Sequence, residues 1–160
     1  MIFITVGTSD FQFNRLLSII DELCEEEILK KDEVFAQIGC SSYKPNNYSY
    51  TDVLTNEEHK ELIDKSEFII THSGTGSIIS SLKKGKKIIA FPRMKKYNEH
   101  VDDHQLELVK AFLSREYILS AINKEELIIS IKNIKQFSPK KYESNNQNII
   151  NLIDSYISSL

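Results

Sequence analysis

A chain of 160 residues fits one ordinary domain and can bury a real core, so stability calls for neither disulfides nor a metal. With 41% hydrophobic and 27% charged residues, the composition is that of a globular protein and excludes a disordered chain. A net charge of −3 argues against a nucleic-acid partner, which demands a clear basic excess, although lysines gather at Lys83-Lys84-Gly85-Lys86-Lys87.

In chain order, residues 2–6 form an apolar run that predicts a strand, stopped by the turn signal Gly7-Thr8-Ser9-Asp10. Leu16, Leu17, Ile19, Ile20, Leu23 and Cys24 recur at helical spacing and predict a helix over 13–26. A second strand over 33–38 ends at Gly39. Residues 40–55 are polar and turn-rich, with a short strand at 48–50, and 56–65 read as an acidic helix. A buried strand over 67–71 leads into His72-Ser73-Gly74-Thr75-Gly76-Ser77, a helix over 77–84 and a strand over 86–91. Residues 92–101 make a basic loop, and 102–114 a helix with Leu106, Val109, Phe112 and Leu113 inward. A short strand at 117–119 and a helix over 124–134 follow. Residues 135–146 connect to a last helix over 147–160, whose apolar stripe packs on the domain or on a partner.

The start of the chain lacks the basic region and cleavage site of a signal peptide, and no apolar run approaches the length of a membrane span. Cys24 and Cys40 show no metal-ligand spacing and read as reduced packing residues of a cytoplasmic protein. Strands alternating with helices predict an α/β fold, a parallel sheet with helices on both faces. Ligands of such sheets bind beyond the carboxyl ends of the strands, which singles out the loops after Val6, Ile38, Thr71 and Phe91.

Three of those loops carry convergent polar groups. In His72-Ser73-Gly74-Thr75-Gly76-Ser77 the glycines permit close backbone approach, and the following helix N-terminus attracts an anion such as a diphosphate. A plain strand-to-helix turn would use the same residues, and neither a P-loop nor a dinucleotide fingerprint is present. Gly7-Thr8-Ser9 offers further donors, or simply an N-cap. The stretch from Pro92 to Gln105 holds Arg93, Lys95, Lys96, Glu99, His100, Asp102, Asp103, His104 and Gln105, suited to a polyhydroxylated ligand or to a solvated loop. His100 and His104 are four apart, but Asp102 as an N-cap would leave His100 outside the helix, so no metal is expected.

These same segments, with Phe35-Ala36-Gln37-Ile38-Gly39, resemble the C-terminal domain of glycosyltransferase family 28 over residues 1–134. The resemblance is nearest to stand-alone small subunits: bacterial capsule or exopolysaccharide β-1,4-galactosyltransferases, and the dolichol-pathway UDP-GlcNAc transferase subunit. It implies a Rossmann-like domain equivalent to the C-terminal half of a GT-B enzyme. Such a subunit binds a UDP-sugar, with galactose expected and GlcNAc the alternative, and needs no cofactor. The resemblance further implies a membrane-associated partner subunit that binds a lipid-linked saccharide acceptor and supplies the general base. The chain would sit at the inner face of the plasma membrane through that partner. A non-catalytic stabilising subunit is a further alternative. By position, Gly7, Thr8 and the turn from His72 to Ser77 would meet the diphosphate. Gln37 and Gly39 would line the nucleotide side, His104 and Gln105 would contact the sugar hydroxyls, and Arg93 would offset the charge developing on UDP. Relatives often have Gly where Ser73 stands and a ribose-binding Glu where Ser80 stands.

Overall fold

A computed structural model of the chain describes residues 1–142. Among them, six parallel strands form one sheet in the order β3-β2-β1-β4-β5-β6. The strands are β1 (Ile2–Thr5), β2 (Val34–Gln37), β3 (Ser49–Thr51), β4 (Phe68–Thr71), β5 (Lys87–Ala90) and β6 (Leu119–Ser120). The helices are α1 (Asn14–Glu25), α2 (Asn56–Lys65), α3 (Thr75–Lys83), α4 (His104–Leu113) and α5 (Lys124–Ile134).

The alternation of side chains along each strand divides the core into two layers. Ile2, Ile4, Ile70, Ile89 and Phe91 pack with Leu16, Leu17, Ile20 and Leu23 of α1 and Leu127 and Ile134 of α5. On the opposite face Phe3 and Ile69 meet Ile63 of α2, while Ile88 and Ala90 meet α3 and α4 through Ile78, Leu82, Val109 and Phe112. Each large side chain so buried contributes roughly 1.5–3 kcal/mol. Central strands covered on both faces must be apolar throughout, hence the unbroken runs at β1 and β4. The register pairs Thr5 with both Gln37 and Thr71, so these three strands end level and their loops emerge at one edge.

Helix ends follow local chemistry. A capping box fixes the start of α2, with Thr55 accepting from the Glu58 N–H and Glu58 bonding the Thr55 N–H. Asn123 caps α5 by accepting from the Glu126 N–H at 2.8 Å. Helix α3 begins two residues earlier than its apolar pattern predicts, because extended Gly74 serves as its N-cap and accepts from the Ile78 N–H at 3.1 Å. Helix α4 begins later than predicted: Asp102 Oδ1 accepts from the His104 N–H at 3.1 Å, holding the chain outside the helix until that point. The last strand lies at Leu119–Ser120, two residues beyond its predicted start.

Cys24 is buried, and burial pushes its thiol up to about 11. Cys40, expected to pack, is exposed just after β2. The connection packs back as far as it is described, with the Lys140 N–H bonding Glu116 O and the Tyr142 ring set edge-on against Tyr117. Its remainder and the helix over 147–160 lie outside the described residues. Among the described residues no helix is long and apolar enough to cross a membrane.

Candidate functional site

The strand order reverses between β1 and β4, which is where an open α/β sheet forms its ligand crevice. A cleft of about 340 Å3 lies there. Thr5, Gly7 and Thr8 line it from the end of β1, Gln37 from β2, and Gly76, Ser77 and Ser80 from α3. Leu54, Asn56, His59, Lys60 and Ile63 close the opposite wall.

The two glycine corners meet on a single side chain. A Cβ added to Gly7 would lie 2.6 Å from His72 Cε1, and one added to Gly74 would lie 2.4 Å from His72 Nε2. The imidazole therefore fills the space between the corners, which only glycine allows to be so narrow. His72 Nδ1 lies 3.2 Å from Thr5 O; a carbonyl only accepts, so Nδ1 carries the proton and Nε2 is left as an acceptor. Burial, with smaller contributions from the charge of Arg93 and from His59 and His100, lowers His72 to about 4, so the ring is neutral at pH 7.

A depressed histidine favours the fold only while the unfolded chain is also unprotonated. As pH falls below 6.5 the unfolded state takes up a proton that the folded state refuses until about 4. Unfolding free energy should therefore drop by about 2 kcal/mol between pH 6.5 and pH 5 on account of His72. Urea unfolding at the two pH values checks this, and His72→Gln should flatten the slope.

The N-terminus of α3 carries no side-chain cap. Its first intrahelical bond is made by Ile78, so the N–H groups of Thr75, Gly76 and Ser77 remain available at the positive end of the helix. Helices α1 and α4 also start without a side-chain cap, but the α3 end is the one whose residues line the cleft, where it suits an anion.

Of the other expected site residues Gln37 lines the cleft, whereas Gly39, Ser73, Arg93, His104 and Gln105 do not. Gln37 is buried, lines the cleft, and accepts from Thr5 Oγ1 at 3.1 Å. Gly39 acts from behind: a Cβ there would lie 2.6 Å from Gly7 O, so it is the seat on which the Gly7 turn rests. Ser73 is fully buried at a φ of 72°, and its hydroxyl has no hydrogen-bond partner. That left-handed backbone explains why glycine suits the position.

Arg93 departs from expectation. Its guanidinium turns inward, donating to Val6 O at 2.8 Å, Phe11 O at 2.7 Å and Gln12 O at 3.0 Å. At 1% exposure it braces the loop after β1 and is not presented to a diphosphate. Burial lowers it to about 10, which still leaves it charged at pH 7. Gln105 is partly committed as well, its Oε1 accepting from the Arg93 N–H at 3.0 Å. His104 and His100 share Asp102, with ring nitrogens 3.2 Å and 3.1 Å from its carboxylate. Among the described residues no group of three His, Cys, Asp or Glu side chains is placed to hold a metal ion.

Sequence reading missed the strap beside Arg93. Arg15 grips Glu99 through two bonds of 2.8 Å, and donates also to Pro92 O and Ile122 O. Its guanidinium lies 4.6 Å from the ring centres of both Phe91 and Tyr97. Glu99, nearly buried, also accepts from the Met94 N–H, so the loop after β5 is built around this ion pair. The polar face of α2 was missed too, although Asn56, His59, Lys60 and Ile63 recur at helical spacing.

Comparison with known proteins gives the family and the fold. The family described as "Glycosyltransferase family 28 C-terminal domain" matches residues 1–158. The human "UDP-N-acetylglucosamine transferase subunit ALG13" is 34% identical over 68% of this chain, a stretch that makes up 10% of the human protein. The subunit of that name from Debaryomyces hansenii is 28% identical over 54% of the chain and 42% of its own length. This chain therefore corresponds to less than half of either relative. Among solved structures, the solution structure of ALG13 superposes with a TM-score of 0.64 at 20% identity, covering 95% of this chain and 94% of that one. MurG from Acinetobacter baumannii superposes at 0.51 with 14% identity, covering 95% of this chain and 49% of MurG. The fold is thus that of the C-terminal half of GT-B glycosyltransferases.

Proposed function

The chain belongs to the family of glycosyltransferase family 28 C-terminal domains, and from that premise we propose that it is the nucleotide-sugar-binding subunit of a two-component transferase using UDP-N-acetylglucosamine. The observation that carries this reading is the cleft at the β1–β4 reversal, where the Gly7 corner and the uncapped α3 N-terminus meet. The relatives above are named as subunits of UDP-N-acetylglucosamine transfer, which favours that donor over galactose and a capsule role.

In this reading the N–H groups of Thr75, Gly76 and Ser77 hold the diphosphate and offset the charge that grows on it as the glycosidic bond to UDP breaks. Thr8 adds donors from the facing corner. Gln105 and His104, which the family resemblance assigns to the sugar hydroxyls, would contact the sugar. The same reading has a membrane-associated partner carry the lipid-linked acceptor and supply the general base. The short Ser80 hydroxyl, folded back onto Ser77 O at 3.1 Å, favours a second reading as a stabilising subunit with weak donor binding.

Calorimetric titration with UDP-GlcNAc and UDP-galactose, and label transfer to a lipid acceptor with and without partner, separate these readings. The expected result is at least about tenfold preference for UDP-GlcNAc and transfer only in the presence of the partner. Absence of saturable binding to either nucleotide would leave the stabilising role. Full transfer by the isolated chain would refute the two-component arrangement.

A further inference from the structure

We infer that a second recess at the carboxyl edge of the sheet, between the loops after β1 and β5, holds a neutral sugar of the acceptor; this rests on the nucleotide-sugar reading above. The recess measures about 500 Å3, within the usual range for small-ligand sites. No aliphatic side chain lines it among the described residues. Asp10, Gln12, Asn14 and Asn98 supply carboxylate and amide groups, and Phe11 and Tyr97 supply rings. Arg15 and Glu99, the more deeply buried members, complete it.

That lining matches the chemistry of a pyranose. Vicinal hydroxyls each donate and accept, so they pair with planar groups that bond two of them at once, while the C–H face of the ring rests on an aromatic side chain. Among the described residues the Asp10 carboxylate and the Asn98 amide make no hydrogen bond or ion pair, so their capacity is open to a ligand. Gln12 Oε1 accepts from Asn14 Nδ2 at 2.9 Å and from Ser42 Oγ at 2.7 Å, which leaves its amide nitrogen as the outward donor. Asp10 and Glu99 offset Arg15, so the lining has no cationic excess with which to hold another phosphate.

The walls are set in place before any ligand arrives. Arg15 holds Glu99 through two bonds of 2.8 Å and lies 4.6 Å from the centre of the half-exposed Tyr97 ring. Lys96 Nζ, 4.8 Å from the same ring and exposed, is the group a sugar would displace. The Phe11 ring stacks on His100 with centres 5.7 Å apart. Asn98 sits in the left-handed region at a φ of 55°, with its N–H bonded to Lys95 O at 2.9 Å. Position along the chain supplies the role. Thr8 lines the donor cleft and Asp10 lines this recess, and two residues of chain span at most about 7 Å, so the two sites adjoin. An acceptor hydroxyl must come within about 3–3.5 Å of the carbon bonded to the diphosphate, and a sugar seated beside the donor cleft brings it there.

The test follows the backbone amides of the whole chain by NMR. Methyl β-glycosides of glucose, galactose and N-acetylglucosamine are titrated to about 50 mM, alone and with saturating UDP, with inorganic pyrophosphate as control. At least one glycoside should shift the amides of residues 10–12 and 97–99 with a Kd on the order of 10 mM or below, and UDP should leave those shifts in place. Asp10→Ala and Asn98→Gly should each weaken that glycoside by about fivefold, with the urea midpoint and UDP affinity at wild type. Glycine suits the backbone at position 98, so the second variant removes the amide without strain. If UDP binds and no glycoside moves these amides, the recess is not a sugar site and the nucleotide reading survives. Shifts that UDP abolishes would place the sugar in the donor cleft and overturn the inference, as would shifts caused by pyrophosphate alone. If UDP itself fails to bind, the nucleotide reading falls and takes the acceptor role with it.

Discussion

Gly74→Ala should lower affinity for a UDP-sugar by at least about thirtyfold while leaving a folded protein. The added methyl would lie 2.4 Å from His72 Nε2 and 2.9 Å from Cε1. The ring cannot swing clear, because Nδ1 is bonded to Thr5 O and its other side is closed by Gly7. Gly74 has an ordinary φ of −63°, so alanine meets no backbone strain and the change acts by overpacking alone, at about 1–3 kcal/mol. The cheapest relief is for the turn to lift, which moves the N–H groups of Thr75, Gly76 and Ser77 away from the Gly7 corner. Two controls sharpen the result. Gly7→Ala meets the same ring from the other side and adds a left-handed φ of 74°, worth a further 1–2 kcal/mol or so, so it should lose both binding and stability. Gly76→Ala meets no protein atom within 4 Å, so any binding it loses must come from contact with the ligand itself. Titration beside urea unfolding reads both quantities; unchanged affinity in Gly74→Ala would remove the claim that the corners act together.

The largest loss of stability should come from Arg93→Met, on the order of 3–5 kcal/mol in urea. Methionine fills much of the space but leaves the buried carbonyl of Val6 and the part-buried carbonyls of Phe11 and Gln12 without their donor. Arg93→Lys should not rescue it, because one ammonium cannot replace the fork of the guanidinium across three separate carbonyls. Donor binding should weaken only as far as the loops loosen. A variant with a wild-type urea midpoint and no UDP binding would reverse this assignment and return Arg93 to the diphosphate.

Much of this was readable before any coordinates. Apolar runs and turn residues set out the alternating strands and helices, and the rule for parallel sheets pointed to the ends of β1, β2, β4 and β5. Gly7, Thr8, Gln37, Gly76 and Ser77 do share a cleft, because strands ending in register bring their loops together whatever the loops contain. The orientation of long charged side chains was not readable. Arg93 in a basic loop looks like a free cation until the carbonyls of Phe11 and Gln12, some eighty positions earlier, are seen to lie against it. Arg15 and Glu99 are likewise 84 positions apart, and no local pattern links them. The α2 face was overlooked because acidic residues between its cleft-lining positions gave the helix a uniformly solvated look. Family resemblance led toward galactose, whereas the relatives found here favour N-acetylglucosamine.

The Arg93 brace and the Arg15–Glu99 pair also mark where this protein tolerates redesign. Lys95, Lys96, Tyr97 and Asn98 are exposed between two anchored residues, so a foreign segment spliced there inherits fixed borders. Cutting at Arg93 or Glu99 instead would free the Gly7 corner on the far side of the crevice. Lys95, Lys96 and Asn98 can change without touching the strap, whereas Tyr97 lies against Arg15, and changing the loop's length across the anchors would dismantle the neighbouring loop as well.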